Sequence, residues 1–325
     1  MSKAYDYHLP VLKRQVIEAL QIRPDGVYYD ATCGGGGHSA AILSQLSDQG
    51  LLISCDRDAM ALNHASKLFS ELSPEGRYHF HQAKFTELSD VLAEEELSQL
   101  DGVLLDLGVS SYQLDAPERG FSYTRAGPLD MRMNQDQGMT AADYLAAVSE
   151  DDLAETLSRY GEERYSGRIA HAIIRRREQE PFTDTKDLAD TIVRAMPASS
   201  RREKQHPAKR SFQAIRIVVN NELGELEGFL DRIPAYLAPG GRVCIITFHS
   251  LEDRIVKDCM RKWENPCTCP PKLPCVCGKK PLGFSVSRKG VVATEEEIEE
   301  NPRARSARLR VFERFTDASG DERRG

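Results

Sequence analysis

A doubly wound α/β sheet, mostly parallel, with a small all-helical domain inserted after its fourth strand is the fold class that the sequence predicts. Three observations predict it. Residues 27–39 read VYYDATCGGGGHS, a β-branched and aromatic run, then glycines, then the start of helical periodicity. Two further apolar runs, 51–55 and 100–105, each end in an aspartate, Asp56 and Asp106. From about 112 to 207 the alternation of strand and helix stops and helical patterns alone remain.

The glycine turn organises the rest. Glycine lacks Cβ, so a tight turn can press its backbone against a ligand, and the free N–H groups of a helix start face that ligand. Asp56 follows about twenty residues later, where nucleotide-binding βαβ units keep an acid for ribose hydroxyls. A dinucleotide site prefers G-x-G-x-x-G/A, and here Ser39 takes the last slot. A P-loop needs a lysine after the glycines, and none is present. Asp30 with Gly34 and Gly36 fits D-x-x-x-G-x-G, the turn of S-adenosylmethionine (AdoMet) methyltransferases. A ligand-free βα turn is the alternative, disfavoured because four consecutive glycines carry a large unfolded-state entropy cost.

A chain of 325 residues is comfortable for two domains, and 40% hydrophobic residues supply a sizeable core. No apolar run approaches a membrane span and the N-terminal residues lack a secretory apolar region, so a cytoplasmic protein with no membrane partner is expected. The net charge of −7 argues against a generic nucleic-acid coat while leaving room for a locally basic face.

In chain order, residues 5–20 predict an N-terminal helix, with His8 read as structural. A helix over 58–72 stops at Ser73-Pro74-Glu75-Gly76, and 78–83 alternates like a strand. Phe85 then falls where a doubly wound sheet faces an adenine, with ordinary packing as the competing reading. The run 100–106 suits a parallel strand covered on both faces, and it aims Asp106 into the crevice of Asp30, Gly36 and Asp56. Helices are expected over 141–148, 150–160, 165–178 and 185–196. The domain plan is therefore 1–111 with 208–325 for the sheet, and 112–207 for the insert. The insert carries Arg175-Arg176-Arg177 and leaves through the basic stretch 201–210, which raises a phosphate-binding reading against that of solvated charge. One long helix from 210 to about 237, a turn at Pro239-Gly240-Gly241, a strand over 242–248 and a helix over 251–263 follow. Residues 306–315 alternate like a half-exposed edge strand, and 316–325 read as a frayed tail.

Cys33, Cys55, Cys244 and Cys259 read as small buried residues of a reduced protein. Cys267, Cys269, Cys275 and Cys277 are different, because four thiols in a short proline-rich loop suit a tetrahedral structural Zn²⁺. Reduced metal-free cysteines and disulfides remain the alternatives there.

Longer strings then carry a resemblance. DATCGGGGHS (30–39), LLDLGVSS (104–111), ERGFS (118–122), GPLDMRM (127–133), YGEER (160–164), FHSLEDRIVK (248–257) and NPRARS (301–306) match the bacterial small-subunit rRNA (cytosine-N4)-methyltransferases, the methyltransferase H family. The resemblance runs over nearly the whole chain. It implies a Rossmann-like class I AdoMet-dependent methyltransferase sheet, a helical substrate-recognition insert, and a homodimer as one open assembly. The implied substrate is the N4 amine of a cytidine in the decoding region of 16S rRNA, in the small ribosomal subunit. By resemblance, Gly36, Gly37, His38, Asp56 at the ribose, Phe85, Asp106 and Gln113 contact AdoMet. The cysteine-rich loop is not shared by all relatives, which separates it from methyl transfer.

The cytosine amine is a weak nucleophile, so the base must be drawn into a pocket and its proton accepted. Amino-methyltransferases for DNA use [DNS]-P-P-[YFW] for this, whereas residues 106–109 read DLGV. Asp106 is the candidate acceptor, with Ser110, Asn220 and His249 behind it. Neither the Pro-Cys of C5 transfer nor a Lys-Asp-Lys-Glu set for ribose methylation can be assembled. A non-catalytic RNA-binding or assembly factor on the same fold is the second reading, and an NAD-dependent oxidoreductase the third.

Overall fold

The computed structural model describes residues 10–72, 77–200, 205–270, 274 and 276–316. His8, Cys275, the cluster 201–204 and the tail from 317 lie outside the described residues. The chain divides into two compact units, Met1–Gly108 with Gly224–Gly325, and Val109–Leu223.

The first unit is a sheet. β1 (Val27–Asp30), β2 (Leu51–Asp56), β3 (Tyr78–Gln82), β4 (Leu100–Asp106) and β5 (Leu237–Thr247) run parallel in the order β3-β2-β1-β4-β5. β6 (Gly283–Ser285) and β7 (Val291–Val292) pair with one edge of β8 (Arg308–Arg314), whose other edge lies antiparallel on β5. The tail strand is thus internal, and Leu309, Arg310, Val311 and Phe312 are all buried, which corrects the expectation of an edge. Alternation alone cannot tell an edge strand from one that donates hydrogen bonds on both sides.

Successive residues alternate between two cores. Tyr29, Ile53, Cys55, Val103, Leu105, Val243 and Ile245 belong to one cluster, and Tyr28, Leu52, Leu104, Cys244 and Ile246 to the other. The strands therefore read as nearly continuous apolar runs, because neither face meets water. α1 (Lys13–Leu20), α2 (Gly37–Leu43) and α3 (Ala59–Leu72) cover the second face through Val16, Leu20, Ile42, Leu43 and Phe69. α4 (Leu88–Glu94) adds Leu88, Val91 and Leu92 to the first.

The second unit is helical: α5 (Ser111–Asp115), α6 (Ala141–Ala147), α7 (Glu150–Gly161), α8 (Ser166–Arg177), α9 (Thr185–Ala195) and α10 (Lys209–Val219). Thr140, Ser149 and Asp184 cap α6, α7 and α9 by accepting from backbone N–H groups of the first turn. α10 lies beyond the expected end of the insert at 207, because Phe212, Ala214 and Ile215 complete the helical core. The approach of α7 and α10 is close enough that a Cβ on Gly161 would sit 2.7 Å from the Arg210 carbonyl oxygen. The single long helix expected from 210 to 237 is two. α10 ends at Asn220, Asn221 takes φ +49, and α11 (Glu222–Tyr236) starts anew.

α11 and α12 (Ser250–Glu264) pack Leu226, Phe229, Leu230 and Ile233, and Val256, Met260 and Trp263, on the first face of the sheet. α13 (Glu295–Glu300) follows. The glycines at Pro239-Gly240-Gly241 are not a turn before the strand but an irregularity within β5, with Gly240 at φ +75 and the β4 register shifting between Leu100 and Gly102. Among the described residues no helix is long and apolar enough to cross a membrane.

Within the helical unit Asn220 fastens a strained loop. Its Nδ2 donates to the Met131 carbonyl (2.8 Å) and its Oδ1 accepts from the Met133 N–H (2.8 Å), with Met131 itself at φ +60. Asn220→Ala leaves both backbone groups without partners and should cost about 2–3 kcal/mol, read as a lower urea midpoint with unchanged m-value.

Candidate active site

Asp30 is the buried anchor of the glycine turn. Its Oδ1 accepts from the Thr32 N–H (3.1 Å) and its Oδ2 from the Ser39 hydroxyl (2.5 Å), whose oxygen lies 2.9 Å from that of Ser54 on β2. The turn is tied down twice more: the Cys33 N–H donates to the Cys55 carbonyl (2.8 Å), and the Gly34 N–H donates to Asp56 Oδ2 (2.8 Å). Gly34 and Gly36 sit at φ +51 and +79, the left-handed region that glycine enters without cost. A Cβ on Gly36 would lie 3.0 Å from that of Ala65, so the turn rests on α3. At Gly34 the nearest atom to an added Cβ is 3.9 Å away, so the backbone there faces open space.

The carboxyl ends of β1, β2 and β4 meet where the chain, having gone outward from β1 to β3, returns to the other side of β1. Open α/β sheets bind ligands at such a switch point. Asp56 Oδ1 accepts from the Asp58 N–H (2.8 Å), so each of its oxygens already holds one backbone amide and keeps a further lone pair. Burial raises the Asp56 pKa, against the pull of those two amides. The Asp106 N–H donates to Thr32 Oγ1 (2.6 Å), which joins the β1 and β4 ends. Asp106 Oδ1 has no hydrogen-bond partner. Burial first, then the charges of Asp30 and Glu252, push Asp106 well above the ordinary carboxylate range.

His38 stands 3.7 Å from Asp106, Nε2 to Oδ2, and is 6% exposed. Burial, helped by the charge of Lys13 and offset slightly by the Val11 backbone, lowers its pKa to about 4. The imidazole is thus neutral near pH 7 and the pair is not an ion pair. Neither ring nitrogen makes a well-formed hydrogen bond. Unpartnered buried polar atoms on two adjacent side chains are costly in a folded protein and mark a place built for a polar ligand.

Phe85 is placed differently from a free stacking face. It is buried in the sheet core, edge-on to Phe229 at 5.7 Å, with the Arg57 guanidinium 5.6 Å from its ring centroid. A Cβ on Gly37 would lie 3.0 Å from the Pro10 ring, so that glycine serves close packing as well. In the helical unit, Gln113 is 5% exposed and completes a capping box: its Oε1 accepts from the Ser110 N–H (3.0 Å), and Ser110 Oγ accepts from the Gln113 N–H (3.2 Å). Ser110 and Asn220 are thus both occupied structurally.

Sequence reasoning missed three participants. Glu252 is 2% exposed and accepts from the N–H groups of Phe248 (2.8 Å) and His249 (3.3 Å), so His249 caps α12 in a box with it. The three-residue spacing of a capping box was the available signal. Thr32 and Ser39 act through contacts that only the folded turn creates.

The arginine run on α8 is corrected. Arg176 donates to Asp187 (2.8 Å) and to the Glu180 carbonyl (2.8 Å), and Arg177 donates to the carbonyls of Leu145 and Val148 that end α6. Arg175 alone of the three is exposed. On the sheet unit, Cys267, Cys269 and Cys277 bring their sulfurs within 4.8 Å of one another.

The strand order, the glycine turn and the acids at the ends of β1, β2 and β4 together define a class I AdoMet-dependent methyltransferase. The chain belongs to the MraW methylase family, whose profile matches residues 6–315. It is 51% identical over 313 residues to the ribosomal RNA small subunit methyltransferase H of Carboxydothermus hydrogenoformans, covering 96% of this chain and 99% of that one. The enzymes of the same name from Symbiobacterium thermophilum (50% over 307 residues, 94% and 96% covered) and Heliobacterium mobile (49% over 313 residues, 95% and 99% covered) are similar.

Asp30 gives the site a pH signature. Burial raises its pKa to about 6, so between about pH 4 and 6 the folded chain holds a proton that the unfolded chain has released. Stability should therefore fall as pH rises through that window. Relative to Asp30→Asn, the parent is expected to lose roughly 3 kcal/mol across it, measured as urea-unfolding free energies at stepped pH.

Proposed function

We propose that this protein transfers a methyl group from AdoMet to the exocyclic N4 amine of a cytidine in the decoding region of small-subunit rRNA. One observation carries the reading: a carboxylate with an unpartnered oxygen, Asp106, beside a neutral unpartnered imidazole, His38, at the mouth of an open glycine turn. The names of the similar enzymes supply the RNA, and the motifs shared with cytosine-N4 methyltransferases supply the atom.

AdoMet supplies an electrophilic methyl on a sulfonium centre. Gly34, Gly36 and Gly37 offer backbone without side chains to hold it, Asp56 keeps lone pairs for ribose hydroxyls, and His38 completes the set on the sheet unit. Asp106 is assigned the amine. A carboxylate raised above its usual range is a stronger base, and burial strengthens the hydrogen bond it accepts as the amine gains charge. His38, neutral and close by, donates from one nitrogen and accepts at the other, which fits it to orient a polar group without adding charge. The helical unit is assigned to RNA recognition, with Arg175, Lys209 and Arg210 exposed on it. A structural Zn²⁺ at Cys267, Cys269 and Cys277 belongs to the same proposal.

The test is transfer of labelled methyl from AdoMet to purified small subunits and to naked rRNA, followed by nucleoside analysis. N4-methylcytidine on either substrate supports the reading. Label-free RNA with AdoMet still bound turns it to a non-catalytic assembly factor. Asp106→Asn should lower kcat by about 10²–10⁴-fold. Because Asp106 must be ionised to accept a proton, the parent rate should climb with pH through its raised pKa, and the variant should lack that limb. Full methylation by both Asp106→Ala and Asp56→Ala would overturn the site assignment.

A further inference from the structure

The excursion between α12 and β6 has a fixed root. At the root, the Leu282 N–H donates to the Trp263 carbonyl (2.9 Å), the Ser285 N–H donates to Glu264 Oε1, and the Phe315 N–H donates to the Leu282 carbonyl (3.0 Å). Trp263 is anchored edge-on against Phe312 at 5.0 Å in the sheet core. Residue 265 thus leaves and residue 281 returns at one point on a rigid body.

Between them no described residue is buried and none is helical or in a strand. Val276 is 88% exposed. Ordering each residue costs about 1–2 kcal/mol of backbone entropy, and the described residues of this segment bury no apolar side chain to offset it. Packing therefore does not explain why Cys267, Cys269 and Cys277 converge within 4.8 Å. A tetrahedral Zn²⁺ with Zn–S bonds of about 2.3 Å holds thiolates roughly 3.8 Å apart, which does.

The same segment has an unusual charge. In a chain of net charge −7, residues 265–281 contain Lys272, Lys279 and Lys280 and not one Asp or Glu. Lys279 and Lys280 are exposed, directly after the ligand Cys277 and Gly278 at φ +64. Lys262, also exposed, adds a cation near the root on the last turn of α12. An ammonium on a long side chain reaches well past such a metal into solvent.

We propose that a zinc clasp at Cys267, Cys269 and Cys277 shapes this loop so that Lys279 and Lys280 hold a phosphate of the RNA substrate. The proposal rests on the rRNA reading and deepens it: it adds an electrostatic grip on the sheet unit, separate from the crevice where the methyl is transferred. A flexible loop of the same charge would pay the ordering entropy at each encounter, whereas a metal-clasped one has already been ordered.

The measurements are bound zinc per chain and the salt dependence of binding to an rRNA fragment, on the full chain without a metal-binding tag. The parent is expected to hold one equivalent of zinc. Cys267→Ser with Cys269→Ser should abolish it and weaken RNA binding several-fold. Lys279→Gln with Lys280→Gln should keep the zinc and AdoMet binding, reduce the salt slope by about 0.7–0.9, and raise KM for the RNA with little change in kcat. Zinc present with an unchanged slope in the lysine variant overturns the phosphate grip and leaves the metal standing. Parent protein without zinc overturns the clasp. Neither readout requires methyl transfer, so failure of the methylation reading is seen separately, as RNA without N4-methylcytidine.

Discussion

The buried hydrogen bond between Ser39 and Asp30 is the constraint on which the sheet unit's crevice depends. Asp30 closes β1, Ser39 lies in the first turn of α2, and Ser54 on β2 joins the same hydroxyl. One carboxylate therefore fixes the direction in which the chain leaves the strand, the start of the helix, and their position against the neighbouring strand. Four glycines in sequence have little conformational preference of their own. They hold one shape here because both ends of the turn are pinned, and because Asp56 captures the Gly34 amide from across the β1–β2 pair.

That arrangement concentrates negative charge. Asp30, Asp56 and Asp106 stand at three strand ends of one crevice, and each is raised first by burial, with a neighbouring carboxylate adding to the effect. Asp30 and Asp56 are offset by hydrogen bonds, whereas Asp106 keeps an oxygen without a partner. The three acids thus divide into two that build the turn and one left available for chemistry. The neutral imidazole of His38 fits this division, since a second charge in the same space would either neutralise Asp106 or be expelled.

The helical unit and the cysteine loop follow a different logic. The helical unit has its own apolar core, and its arginines mostly close hydrogen bonds inside it, as Arg176 and Arg177 do. A run of three arginines looks the same in sequence whether it faces a phosphate or caps a neighbouring helix. Among its described residues the cysteine loop buries none and holds no helix or strand.

The sequence by itself determined the periodicities, and through them the five parallel strands, the helix spans of the insert, and the glycine turn with Asp56 and Asp106 at the following strand ends. These are local patterns: a period of two or 3.6 and a turn that only glycine tolerates can be read along the chain. Only the tertiary structure decided that β8 is paired on both edges, that α10 joins the helical core, and that Phe85 packs on Phe229. It also decided that the His38 ring nitrogens and Asp106 Oδ1 are left without hydrogen-bond partners while Asn220 is used structurally. Those outcomes depend on which groups from distant segments arrive within about 3 Å of one another, and hydrogen-bond satisfaction is a property of that arrival.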